Sequence, residues 1–312
     1  MTTADAASAD HRLLEYGSAE DFVAGVMPFL FEGLTANEPC LVVASTGNLA
    51  AVRDALGSDA GQQVRFADSD TWGSGNVAAR VLAVDWAIRN LQAVAGRCRL
   101  VEEFTWQGEA QRRQWRRHEA AANLLLMSSH VSVLCTANTR AQPAEFLENL
   151  RQTHPIIAPN HPNADFIEPW SYLATMDGGD PQLPAPAEAD TSVALDDADL
   201  GPMRQRVSAQ ARAAGLGDYQ TQSVALAATE VVANALLHAA TAATIMTWTE
   251  QSWFVCEVSD TGSGIADPLH SYRPPAPAGG RCGLWLARTF SDELRIISSP
   301  VGTIVRMSFL RP

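Results

Sequence analysis

The sequence predicts an α/β protein of two domains, and three observations predict it. Short, continuous, β-branched runs alternate with helix-like segments through the first half of the chain. An acidic, proline- and alanine-rich stretch then breaks the pattern. Beyond it, a helix with a stack of polar residues precedes a strand that ends on an aspartate and a glycine turn. The 312 residues, 46% hydrophobic and 18% charged, are enough for two ordinary globular cores.

In the first half, CLVVAS (Cys40 to Ser45), VRFAD (Val64 to Asp68), RLVEEF (Arg99 to Phe104) and VSVLCT (Val131 to Thr136) are short, β-branched and continuous rather than alternating. Strands buried on both faces of a parallel sheet read this way. Helical segments are predicted over Ala19 to Leu34, Leu49 to Leu56, Asn76 to Val94, Gln107 to Met127 and Pro143 to Thr153. Strand and helix in turn give a doubly wound sandwich. From Thr175 to Leu200 the chain carries seven acidic residues and no basic one. Such a segment buries too little apolar surface to fold by itself, so it reads as a linker.

Composition excludes several chemistries. All 22 basic residues are arginine. A P-loop, a eukaryotic-type kinase and a Schiff-base enzyme each need a lysine, so all three are excluded. The net charge of -13 argues against direct nucleic-acid binding. Cys40, Cys98, Cys135, Cys256 and Cys282 stand singly, which fits buried thiols in a reducing compartment rather than disulfides or a C-x-x-C zinc site. The N-terminus shows no signal-peptide pattern, and no apolar run reaches the roughly 18 residues of a membrane span. The protein is expected to be cytoplasmic and not membrane-bound.

Three segments of the second half carry chemistry. In ALAATEVVANALLHAA (Ala225 to Ala240), Glu230, Asn234 and His238 recur every four residues and share one helix face. Stacked polar groups among Ala, Val and Leu need partners, which a magnesium triphosphate supplies. Asn234 offers an oxygen to the metal, and Glu230 a carboxylate that can orient or deprotonate a nucleophile. In WFVCEVSDTGSGIADP the strand Trp253 to Val258 leads to Asp260, Gly262 and Gly264. An aspartate there can accept from a purine amino group while the glycines let backbone approach. In GGRCGLWLARTFSDELRI, Gly279, Gly280 and Gly283 precede a helix whose start can receive phosphate. RIISS and TIVRMSFL read as closing strands.

In order and spacing these segments resemble the N, G1 and G2 boxes of the GHKL ATPase superfamily, over Pro202 to Pro312. The helix MRQRVSAQARAAGLGDYQTQSVALAATEVVANALLHAA is similar to that of the anti-sigma-factor serine kinases. The resemblance implies a GHKL (Bergerat) α/β sandwich over residues 201–312 that binds ATP and Mg2+. Asn234 would ligate Mg2+ and Glu230 would be the general base towards a serine or threonine hydroxyl. Asp260 would take the adenine amino group, with Thr303 as a second contact. His238, Gly262, Gly264, Gly280, Gly283 and Leu284 would complete the nucleotide pocket, and Ile265 to Gly279 would be its lid. The partners implied are a sigma factor and a STAS-domain antagonist, together with a homodimer through this domain. One departure is Arg281, which stands where family members commonly carry a glycine. No histidine-bearing dimerisation helix pair precedes the domain, so an autophosphorylating histidine kinase is not expected.

The first half has its own resemblance. HRLLEYGSAEDFVAGVMPFLFEGLTANEPCLVVAS, VEEFTW, WRRHEAAANLLL, VSVLCTANTR and LRQTHP look like the methanogen/methylotroph sensory (MEDS) domain, over residues 11–174. It implies a RecA-like α/β sandwich without a P-loop that senses a signal. His11, Tyr16, Glu103, Trp106, His118, Glu119, Asn123 and Cys135 fall in the matching segments, either as a ligand pocket or as core and capping residues. His154 and His161, on a proline-rich loop without a third ligand in view, read as structural. Together these features describe a sensory domain, a linker over residues 175–200 and an anti-sigma kinase-like module. The alternative is a catalytically inactive GHKL scaffold that regulates a partner by binding alone. A hydrolytic GHKL ATPase would need a transducer domain that the chain does not show.

Overall fold

The computed structural model describes residues 10–72, 77–105, 108–126, 130–176, 189–195, 200–239, 242–267, 269–274 and 282–312. The chain divides into two units, Met1–Met176 and Asp177–Pro312.

In the first unit strand and helix alternate: β1 (His11–Tyr16), α1 (Ala19–Thr35), β2 (Cys40–Ala44), α2 (Thr46–Gly61), β3 (Val64–Asp68), α3 (Val77–Ala95), β4 (Cys98–Glu103), α4 (Glu109–Leu126), β5 (Val131–Asn138) and α5 (Ala144–Thr153). The short strands β6 (Ile156–Ile157) and β7 (His161–Pro162) and helix α6 (Pro169–Met176) follow. The sheet order is β3-β2-β4-β5-β1-β6-β7. Its pairs are parallel except β6 with β7. The apolar runs become β2 and β5, buried almost throughout, as a strand covered by helices on both faces should be. Phe22 and Val26 of α1 and Leu49 and Val52 of α2 pack on one face. Leu91 of α3, Trp115 of α4 and Leu150 of α5 pack on the other.

The apolar runs predict no strand before Cys40, yet β1 lies inside the sheet between β5 and β6. HRLLEY hides this because His11 and Glu15 interrupt its apolar residues. Only Gly17 and Ser18 connect β1 to α1, with the Ser18 hydroxyl accepting the Asp21 amide at 3.2 Å as an N-cap. So short a connection has no room for a phosphate-cradling loop, in keeping with the missing lysine.

The second unit runs β8 (Asp190–Leu195), α7 (Gly201–Ala213), α8 (Asp218–Asn234), β9 (Ala243–Glu250), β10 (Trp253–Asp260), α9 (Gly283–Phe290), β11 (Glu293–Ser299) and β12 (Gly302–Leu310). Its sheet is antiparallel, in the order β11-β12-β10-β9-β8. Val207 of α7, Val224 and Val231 of α8 and Leu284 of α9 pack against Phe254, Cys256, Met307 and Phe309 of the sheet. The acidic segment read as a linker from 175 to 200 therefore contributes a strand, because β8 pairs along β9. Its acidic character masks a strand whose backbone bonds come from one neighbour. The helix expected over Ala225 to Ala240 starts earlier and ends as an α-helix at Asn234. There it widens into a π turn, Ala235–Ala239. Among the described residues no helix is long and apolar enough to cross a membrane.

Candidate functional site

The second unit holds a cavity of about 370 Å3 between α8, α9 and the inner ends of β10 and β12. Volumes of about 300–1,000 Å3 are usual for small-molecule sites. Asn234, the last α-helical residue of α8, and Asp260, the last residue of β10, both line it. Thr303 pairs with Asp260 across the β10–β12 ladder and lines the same cavity. Val231, Ala235, Val258 and Val305 supply its apolar wall.

The turn after Asp260 is fixed by its own side chain: Oδ1 accepts the Gly262 amide at 2.8 Å. Gly264 has φ of +81°, and a Cβ there would come within 2.8 Å of the Ser298 hydroxyl, so a side chain is excluded twice over. The Ser298 hydroxyl also accepts the Ile265 amide at 2.6 Å, pinning the base of the lid to β11. Ile265, Ala266, Asp267 and His270, from the described part of the segment expected to be the lid, also line the cavity. A 3-10 turn, His270–Tyr272, is tied to α9 by Arg288, which donates to the Ser271 hydroxyl at 3.1 Å and lies 4.0 Å from the Tyr272 ring centroid.

Of the residues singled out in the sequence, Asn234, Asp260, Gly264, Leu284 and Thr303 line the cavity. Gly283 abuts the Asn234 side chain, and Gly262 is buried in its turn. Glu230 is half-buried one turn before Asn234 and is not among the lining residues. Gly280 and the His238 side chain lie outside the described residues. The apolar wall was missed, although Val258 and Val305 stand two residues from Asp260 and Thr303 and so share their sheet face. Helices, strands and the loop after β10 leave a mainly apolar slot lined by the carboxylates of Asp260 and Asp267 and the side-chain amide of Asn234. That arrangement fits a flat heteroaromatic ring with an amino donor, and a hard cation at the amide oxygen.

The first unit brings the other predicted residues together in two groups on opposite sheet faces. On the face of α1 and α2, the Tyr16 hydroxyl donates to Glu103 Oε1 at 2.5 Å and accepts from Asn48 at 3.0 Å. The Ser45 amide donates to Glu103 Oε2 at 2.7 Å. Burial, with Glu103 beside it, pushes the Tyr16 hydroxyl well above the usual tyrosine range. On the other face His11, Glu119, Asn123 and Cys135 meet and are joined by His154. Burial alone would raise the Glu119 carboxyl, but the His11 and His154 imidazoles beside it prevail and hold it at about 2. His118 belongs to neither group, its ring centroid 6.4 Å from that of Trp115 and tilted by 37°, and Trp106 lies outside the described residues. Of the two histidines read as structural, His154 is buried in this cluster while His161 is exposed. Glu102 and Arg80, 2.6 Å apart, form a buried ion pair on the same face.

Comparison with known proteins agrees with this division. Residues 10–155 match the family model of the MEthanogen/methylotroph, DcmR Sensory (MEDS) domain, and residues 193–309 match that of the histidine kinase-like ATPase domain. A solved structure of the RsbU and RsbW domains of Rv1364c from Mycobacterium tuberculosis aligns at 17% identity with a TM-score of 0.29. The alignment covers 39% of this chain and 32% of that one. No curated protein matches the chain. The chain therefore joins a MEDS domain to a histidine kinase-like ATPase domain of the GHKL type.

Proposed function

We propose that residues 201–312 bind Mg2+-ATP in the cavity beside Asn234 and Asp260 and phosphorylate a serine or threonine of a STAS-type antagonist. In this reading the same domain sequesters a sigma factor, and the MEDS domain biases the choice between the two partners. The observation that carries it is the shared placement of Asp260, Thr303 and Asn234 around one slot. Asp260 accepts the adenine amino group at the base, Thr303 flanks it, and Asn234 Oδ1 takes the cation at the mouth. The cation, when bound, neutralises phosphate charge. Glu230 stands one helical turn, about 6 Å along the axis, from Asn234 and takes the proton of the attacking hydroxyl. The new bond joins that oxygen to the γ-phosphorus as the bridge to the β-phosphate breaks, and ADP leaves.

A second reading, a scaffold without catalysis, is favoured by one observation: Glu230 is not among the residues lining the cavity. Calorimetric titration of Mg2+-ATP into the wild type and Asp260→Asn tests the nucleotide site. Saturable binding lost in the variant supports it, and absence of binding to the folded wild type overturns it. Glu230→Gln separates the two readings. A kinase keeps ATP binding and loses phosphotransfer to an antagonist, whereas a scaffold is indifferent to the change.

A further inference from the structure

The MEDS unit contains a second constellation, independent of the nucleotide reading. His11 at the start of β1, Glu119 on α4, Cys135 within β5 and His154 just beyond α5 come from four separate elements. Their relative exposures are 1%, 4%, 1% and 0%. One ligand atom from each lies within 4.8 Å of all the others. His11 Nε2 is 3.3 Å from both Cys135 Sγ and Glu119 Oε2; His154 Nε2 is 3.2 Å and Cys135 Sγ 3.9 Å from the same carboxylate oxygen.

The surrounding bonds set the imidazole tautomers. His154 Nδ1 lies 2.6 Å from the Leu150 carbonyl, which only accepts, so this nitrogen carries the proton. Asn123 Nδ2 donates to the Glu119 and Thr153 carbonyls at 3.2 and 2.7 Å, which fixes its amide orientation. Its Oδ1 therefore accepts from His11 Nδ1 at 3.1 Å. In the neutral rings both Nε2 lone pairs then face the cluster. The His154 Nε2 atom is buried without a hydrogen bond, its lone pair 3.2 Å from the Glu119 carboxylate. Histidine ligands whose other ring nitrogen is held by a carbonyl are the usual outer shell of a metal site.

We propose that His11 Nε2, His154 Nε2, Glu119 Oε2 and Cys135 Sγ bind one Zn2+-class transition ion tetrahedrally. Metal–ligand bonds of about 2.0–2.3 Å imply ligand–ligand separations of about 3.3–3.8 Å. Four of the six separations span 3.2 to 3.9 Å, and the two between His154 and His11 or Cys135 lie within 4.8 Å, so a bound ion would draw the ligands together by a few tenths of an ångström. Thiolate and imidazole select Zn2+ and its neighbours over Mg2+ and Ca2+. As the metal–sulfur bond forms, the Cys135 proton leaves to solvent. One dication with one thiolate and one carboxylate leaves no net charge in a dry interior, where an uncompensated charge would be costly. With all four positions taken by protein, the site is closed, which suits clamping or sensing rather than hydrolysis. Such an ion joins β1, β5, α4 and the chain after α5 in one bond set.

Elemental analysis of the full chain, after incubation with stoichiometric Zn2+ and dialysis, tests this. One zinc per chain is expected. Cobalt replacement should give the visible bands of a tetrahedral site and a near-ultraviolet thiolate band. Cys135→Ser should lose that band, and Asn123→Ala, which touches no metal, should weaken Zn2+ binding about 10–100-fold. Should either variant fail to fold, the wild-type cobalt spectrum still decides. Zinc-free chains after incubation, an octahedral cobalt spectrum, or a thiolate band that survives in folded Cys135→Ser would each overturn the proposal.

Discussion

Gly283 opens α9 with its α-carbon against the side-chain amide of Asn234, the residue that closes α8 as an α-helix. A Cβ at 283 would stand 3.1 Å from Asn234 Cγ and 3.2 Å from its Oδ1, closer than ordinary contact. The absent side chain thus fixes where the amide at the cavity mouth can sit. Gly283→Ala is expected to push Asn234 aside and lower Mg2+-ATP affinity at least about tenfold, an overpacking effect of about 1–3 kcal/mol. On helix propensity alone the change would stabilise by about 1 kcal/mol. Calorimetry and thermal melting together read both effects. Unchanged affinity with a raised Tm would contradict the packing argument.

Asp260 offers an acceptor at the base of the slot, with Oδ1 already holding the Gly262 amide. An adenine amino group donates to such a site, whereas the guanine 6-oxo group is a second acceptor facing it. Competition against a fluorescent ATP analogue should show GTP at least about 100-fold weaker, since unpaired buried polar groups discriminate strongly. Equal competition would remove Asp260 from base recognition.

Arg80 donates to Glu102 at 2.6 Å and to the Ser69 and Trp72 carbonyls at 3.1 and 2.8 Å, all within the α3 face of the sheet. Arg80→Ala strands a buried carboxylate and should destabilise the MEDS unit by about 3–5 kcal/mol. Glu102 already sits above the usual carboxyl range, because burial outweighs the guanidinium. A raised folded-state pKa gives stability that is present in acid and lost as pH rises through it. Removing Arg80 deepens that loss, so the gap between variant and wild type should be smaller near pH 4.5 than at pH 7. Urea unfolding at both values checks the sign.

Cys282 stands at the N-cap of α9, two residues before Leu284 of the cavity wall, and is partly exposed. Burial pushes the Cys40 thiol to about 11 and those of Cys98 and Cys256 to about 12. Since the thiolate is the reactive form, brief native alkylation should label Cys282 and spare these three. Mg2+-ATP should slow that labelling several-fold. Peptide mass spectrometry reads the sites, and labelling of Cys256 at the rate of Cys282 would count against the fold of the second unit.

The parts legible in the sequence are those whose signal is local. Val64 to Asp68 is a strand over the predicted span, and Val131 to Thr136, a run buried on both faces, extends by two residues. The polar stack on α8 and the aspartate ending β10 likewise mark their own positions. What escaped is set by distant pairing. β1 carries the polar residues of a cluster that only its partners explain, and β8 takes its order from β9. His154 has no local sign of its role, since the residues it meets lie at 11, 119 and 135. Ala266, Asp267 and His270, which line the cavity beyond Ile265, are small or polar and resemble any loop.

The strand order of the MEDS unit also has a consequence in time. β1 is synthesised first, yet its ladder neighbours are β5 and β6, where Leu13 faces Cys135 and Ile157. At about 5–20 residues per second, β1 waits roughly 7–30 s on the ribosome for its second neighbour. During that interval β2, β3 and β4 can pair, but the central slot of the sheet stays open. Contacts this far apart in sequence slow folding, and open strand edges invite pairing with other chains. The nascent chain is therefore most exposed to misassembly before β5 emerges, and it is over this interval that a chaperone has the most to protect.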